Sequence, residues 1–93
     1  MTTITTRKAA DPNGREYDIH AWYLARNGWE YWQTEPADEH GYAFGYVMGD
    51  ACEWGSFNVN EIKEFLRISA TGNELYELAP PATHYDSWEW KEN

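Results

Sequence analysis

Aromatic side chains recur on alternate positions along much of this chain, and that spacing narrows the choice of fold more than any other feature. Tyr17, Ile19, Ala21 and Tyr23 alternate with Asp18, His20, Trp22 and Leu24, and Tyr42, Phe44, Tyr46 and Met48 alternate with Ala43, Gly45 and Val47. A period of two sends successive side chains to opposite sides of an extended backbone, so both segments predict strands. Turn chemistry separates them. In Asp11-Pro12-Asn13-Gly14, the proline presets φ and the glycine supplies a positive φ. Asn27-Gly28 is the strongest hairpin dipeptide in the chain and leads into the aromatic stretch 29–34. A polar loop over 35–41, containing Pro36, ends that stretch.

These signals predict strands over 2–6, 15–24, 29–34, 42–48 and 54–57. Asn58 or Asn60 then supplies N-cap chemistry, with Glu61 near the positive end of a helix. Ile62, Phe65, Leu66 and Ser69 recur at three- and four-residue spacing and extend that helix until Thr71-Gly72-Asn73 stops it. Residues 74–78 read as a last edge strand. Pro80-Pro81 breaks the chain and opens a Trp-rich tail over 80–93. The expected architecture is α+β: a single small domain over 1–93, built as an antiparallel β-meander of about five strands with one helix packed on a face. A chain of 93 residues has room for one small core, burying roughly 60–65% of its unfolded surface.

Cys52 is the only cysteine, so no intrachain disulfide staples the fold, and packed aromatic side chains must hold it. A reducing, cytoplasmic setting is expected. Residues 42–49, the longest apolar stretch, fall far short of the roughly 20 needed to cross a bilayer, and the first eight residues lack the apolar core of a signal peptide. No membrane association is expected.

Sixteen acidic residues against seven basic ones give a net charge of −9. That balance argues against direct nucleic-acid binding, which depends on neutralising phosphates. Residues 27–62 hold no Lys or Arg but seven acids: Glu30, Glu35, Asp38, Glu39, Asp50, Glu53 and Glu61. In a meander, the loop carrying Glu35, Asp38 and Glu39 lies at one end of the sheet with the helix start, and the turn carrying Asp50 and Glu53 lies at the other. Two separated acidic clusters suit a surface that meets a basic protein, although ordinary solvating charge has the same composition. Sixteen aromatic residues are more than a small interior readily hides, and Trp and Tyr dominate binding hot spots. They also serve as core where Leu and Val are scarce. Trp88 and Trp90, in the tail, are the ones expected to reach a partner.

The sequence carries no strong catalytic signature. Cys52 with His20, His40 or His84 lacks any local nucleophile motif. Glu30 with Glu53 would need a cleft to act as a glycosidase pair. His40 with Asp38 and Glu39 lacks a recognised metal-ligand spacing, and no glycine loop of a nucleotide binder precedes a helix. Neither a cofactor nor a metal is expected.

The motifs Thr34-Glu35, Ala43-Phe44-Gly45-Tyr46-Val47, Glu53-Trp54-Gly55-Ser56-Phe57 and Asn60-Glu61-Ile62 resemble a family of small bacterial proteins, domain of unknown function 2958. The resemblance covers residues 29–66; the N-terminal hairpin and the Trp-rich tail depart from it. It implies a small protein of a kind often carried on mobile elements, and it lends no catalytic residue.

The leading expectation is therefore a non-enzymatic, acidic protein-interaction module, of phage or plasmid type, that binds a basic protein or a nucleic-acid-binding protein. Glu35, Asp38, Glu39, Asp50 and Glu53 would steer the encounter, and Trp88 and Trp90 would anchor it. The alternative is a small-ligand module in which Trp29, Tyr31 or Trp32 stacks on a sugar ring or planar metabolite. A monomer or a small homo-oligomer joined through edge strands and the tail fits the same composition.

Overall fold

The computed structural model describes residues 6–76 and 88–91. It is an antiparallel β structure of two sheets with one short helix. The strands are β1 Arg7–Ala10, β2 Glu16–Ile19, β3 Ala21–Ala25, β4 Glu30–Gln33, β5 Tyr42–Met48, β6 Cys52–Asn58, β7 Leu66–Thr71 and β8 Glu89–Trp90. A five-stranded sheet runs β6-β5-β4-β3-β7, and a three-stranded sheet runs β2-β1-β8. The consecutive strands β3 to β6 form the expected meander. The expected five-stranded antiparallel sheet is present, with the helix on one of its faces.

Turn chemistry closes the hairpins as the sequence implies. Asp11 Oδ1 accepts from the Asn13 and Arg15 backbone N–H groups at 2.9 Å each, turning β1 into β2. Gly28 takes a φ of 91° between β3 and β4, where Asn27 Oδ1 accepts from the Trp29 N–H at 3.0 Å. An L-residue at that φ would be strained.

Register across the large sheet lines up one aromatic row. Trp22 pairs with Trp32, Trp32 with Tyr46, and Tyr46 with Trp54. Directly paired residues share a face, so Ala70, Trp22, Trp32, Tyr46 and Trp54 cross the sheet on one side. The small sheet covers the centre of that side with Ala9, Ile19 and Trp88, making the first core with Met48 and Leu75. Trp88 stacks on Trp32 at 4.9 Å and 11°. On the opposite side Ala21, Tyr23, Ala25, Tyr31, Ala43 and Phe57 meet Val59 and Ile62 of the helix, making the second core.

Four expectations about elements need correction. Residues 15–24 are not one strand: the chain bends at His20, where the His20 N–H donates to the Gln33 carbonyl at 2.8 Å, and passes from the small sheet to the large one. The helix is shorter than its stripe suggests. α1, Val59–Ile62, runs into a 3-10 turn, Lys63–Phe65, and Leu66 then takes extended backbone to begin β7. Leu66, Ile68 and Ala70 also alternate, and pairing to the open edge of β3 satisfies backbone groups of both strands. Gly72–Tyr76 is a 3-10 turn in place of the edge strand expected from residue 74. The first strand begins at Arg7, so the segment 2–6 contributes none over its described end. Residues 2–5, 77–78, Pro80-Pro81, His84 and the tail before Trp88 lie outside the described residues.

Candidate functional site

The loop 35–41 and the helix start are held together at one end of the large sheet. Asp38 Oδ1 accepts from the His40 and Tyr42 N–H groups at 2.9 Å each. These backbone hydrogen bonds, that from Tyr42 first, hold the Asp38 carboxyl below its ordinary value. Gly41, at a φ of 92°, brings the loop against the helix N-terminus, where its carbonyl accepts from the Val59 N–H at 2.8 Å. Asn58 is the N-cap: its Oδ1 accepts from the Asn60 and Glu61 N–H groups, and its Nδ2 donates to the His40 carbonyl at 3.2 Å.

Beside this loop, the aromatic row ends at the rim of the small sheet, where Tyr17 packs on Trp54 at 4.9 Å. Tyr42 is 55% exposed, Phe44 37% and Trp54 37%. Phe44 and Trp54 stack at 6.0 Å and 11°. Register puts Tyr42, Phe44, Trp54 and Ser56 on the same face. Glu35, Pro36, Asp38, Tyr42, Ala43, Phe44 and Ser56 line an open pocket of about 280 Å³. Carboxylates and exposed rings thus share one concave patch, an arrangement suited to a guanidinium or ammonium group, which gains both Coulomb attraction and a ring face.

The structure brings some of the expected binding residues together and separates others. Glu35 and Asp38 line the pocket and Glu39 is exposed on the same loop. Asp50 sits in the turn at the far end of β5, as the meander requires. Glu53 pairs with Val47, so it faces the helix side and not the Trp54 side. Trp88 is 1% exposed and forms part of the core, which corrects the expectation that it is available to a partner: its ring covers Trp32 and touches Tyr17, Tyr46 and Trp54. Trp90 is half-buried, set between Trp32 at 5.0 Å and the Arg7 guanidinium at 4.7 Å from its ring centre. The rings named for ligand stacking also turn inward. Tyr31 is 8% and Trp32 0% exposed, and Trp29 packs near Tyr31 with its ring over Gly49.

Sequence reasoning grouped Tyr42 and Phe44 on one face but did not single them out with Trp54 as an exposed platform. The position of Tyr42 and Phe44 beside the polar loop was the available signal.

Two of the pairings considered from sequence, Glu30 with Glu53 and Cys52 with His40, are not brought together. Glu30 is 3% exposed on the Trp32 face, where its Oε1 accepts from the Trp22 indole N–H at 3.0 Å, while Glu53 faces the other side. Cys52 and His40 lie near opposite ends of β5. Among the described residues, no group of three His, Cys, Asp or Glu side chains is placed to hold a metal ion. None of the described helices is long and apolar enough to cross a membrane.

No family model, curated protein or solved structure matches the chain. The resemblance to domain of unknown function 2958 therefore rests on its quoted motifs alone.

Proposed function

We propose that this protein is a non-enzymatic interaction module that docks a basic protein surface through the patch at Tyr42, Phe44, Trp54, Glu35 and Asp38. The observation carrying the reading is the coincidence of exposed stacked rings with two carboxylates in a segment, 27–62, that lacks any Lys or Arg. Arginine side chains of the partner lie against Trp54 and Phe44 and reach the Glu35 and Asp38 carboxylates. Glu39, Asp50 and Glu53 raise the encounter rate without touching the docked groups. The single cysteine accords with a cytoplasmic setting, and a phage- or plasmid-encoded accessory or anti-defence role is the biological form of this reading, resting on the family resemblance.

Calorimetric titration with a short oligoarginine peptide tests it. Binding is expected to weaken about fivefold on Trp54→Ala and on the Glu35→Gln, Asp38→Asn pair, since an exposed cation–π contact and a pair of charges each contribute about 1 kcal/mol. Equal binding by both variants and the parent would overturn it.

A second reading, a site for a sugar or planar metabolite, draws on the same exposed rings in place of Trp29, Tyr31 and Trp32. A neutral glycan that binds the parent and loses affinity on Trp54→Ala, with no response to salt, would favour that reading over the first.

A further inference from the structure

The two edges of the large sheet are built differently. β7 is blunted: its register shifts between Leu24 and Ala25 of β3, leaving Arg67 as the extra residue of a bulge with a positive charge on the edge. β6 carries neither device. It pairs with β5 without interruption over all seven residues, contains no Pro, Lys or Arg, and has one hydrogen-bonded neighbour strand among the described residues.

Strand geometry identifies which of its backbone groups face outward. The Thr34 N–H donates to the Phe44 carbonyl at 3.0 Å, so the polar groups of Phe44 turn toward β4. Along a strand these directions alternate. Those of Ala43, Gly45 and Val47 therefore turn toward β6, where they face Phe57, Gly55 and Glu53. The N–H and C=O groups of Trp54 and Ser56 are left pointing away from the sheet, with no partner strand among the described residues.

We propose that β6 accepts an extended, basic segment of the partner as a sixth strand, pairing antiparallel with Trp54 and Ser56. The inference rests on the basic-partner reading above and adds the mode of docking. A partner residue that exchanges backbone hydrogen bonds with Trp54 or Ser56 shares its face. Its side chain then lies beside the Phe44–Trp54 stack or at the pocket lined by Glu35, Asp38 and Ser56. Arginine or lysine fits at both positions. The residue between them comes opposite Gly55 on the other face, where a Cβ on the glycine would meet nothing within 4 Å, leaving room for a bulky apolar side chain. The recognised pattern is basic–apolar–basic in extended conformation. A second copy of this chain is disfavoured as the occupant by its net charge of −9.

The probe is a capped peptide of alternating arginine and isoleucine, compared with two versions N-methylated at the arginines or at the isoleucines. All three carry the same charge. Methylation at the arginines removes the donors that face β6 and is expected to weaken binding at least about tenfold, while methylation at the isoleucines leaves it near the parent value. Ser56→Pro, which deletes an outward N–H and no bond to β5, is expected to reproduce the loss, and Ser56→Ala is expected to retain binding. Equal binding by the two methylated peptides overturns strand addition. Binding of oligoarginine but not of the alternating peptide overturns it too while leaving the basic-partner reading intact, and silence from both peptides removes that reading and the inference with it. A dimer seen by light scattering that Ser56→Pro dissociates assigns the edge to a second copy and overturns the proposal.

Discussion

Trp88 illustrates how far a single residue's role depends on strands distant in sequence. Its neighbours in the chain are polar, which suggests a mobile anchor, yet its ring lies flat on Trp32 and is 1% exposed. Nothing local to the tail reports that the edge of β1 pairs with β8 through Ala9 and Ala10. Trp88→Ala is expected to cost about 3–5 kcal/mol in urea unfolding, as for other buried tryptophans. Trp88→Phe should cost clearly less, because it keeps an aromatic ring and deletes a buried indole N–H that meets no acceptor among the described residues. Glu30 misled in the opposite direction. As an acid on a strand it reads as solvent-facing, but it shares the Trp32 face and receives the Trp22 indole N–H. Replacing it with Leu strands that donor, and unfolding should show a loss of about 1–3 kcal/mol. Asp38 supplies a pH response. Its carboxyl is depressed in the folded state, so the loop stabilisation is complete above the ordinary value of 3.8 and disappears as pH falls through the lower folded value. An NMR titration of Asp38 should find its midpoint below 3.8, and a midpoint at or above it would contradict the Tyr42 and His40 hydrogen bonds.

At the scale of elements, what could be read from the sequence was whatever local chemistry decides. The Asn27-Gly28 hairpin, the Asn58 cap and the β5 alternation each depend on neighbours within a few residues, and each stands as the spacing implies. The segment 66–71 does not, because Leu66, Ile68 and Ala70 satisfy a strand period while Ile62, Phe65, Leu66 and Ser69 satisfy a helical one. Tertiary pairing with β3 chooses between them. The bulge at Arg67 completes the exchange by letting Leu66 join the helix-side core while Ile68 packs with Trp22. The candidate site was legible in the same partial way: its acids and the shared face of Tyr42 and Phe44 follow from spacing, but their exposure depends on how little of the sheet β1, β2 and β8 cover. Gly45 is a position of close approach between β5 and β4. A Cβ there would stand 1.9 Å from the Trp32 carbonyl oxygen, so β4 and β5 cannot keep their register around an alanine. Gly45→Ala is expected to cost about 3 kcal/mol, the upper end of ordinary overpacking, whereas Gly55→Ala, which meets open space, should cost under about 1 kcal/mol. Parallel thermal melts of the two variants check the contrast.

Charge acts on the whole molecule, and its effect on folding is opposite in sign to its effect on the proposed docking. Sixteen acidic residues compressed into a compact chain repel one another, and the seven basic ones do not offset them. Close ion pairs do little to change this, since Lys8 to Asp18 at 3.0 Å is a surface pair. Added salt screens the repulsion, which falls more in the compact native state than in the expanded chain. The melting temperature should therefore rise by about 4–8 °C between about 10 mM and about 500 mM NaCl, since a gain near 1 kcal/mol shifts a domain of this size by about that amount. The proposed docking of a basic segment runs the other way, because the same ions would screen its attraction to Glu35, Asp38 and their neighbours. Over the same range its affinity should fall, with the larger part of the change in the association rate. Measuring both on one preparation separates the two roles of the acids: a melting temperature that rises while binding weakens fits charge kept for docking at a cost in self-repulsion. A melting temperature that falls with salt would instead show that native ion pairs outweigh the excess negative charge, and binding indifferent to salt would remove the acidic residues from recognition.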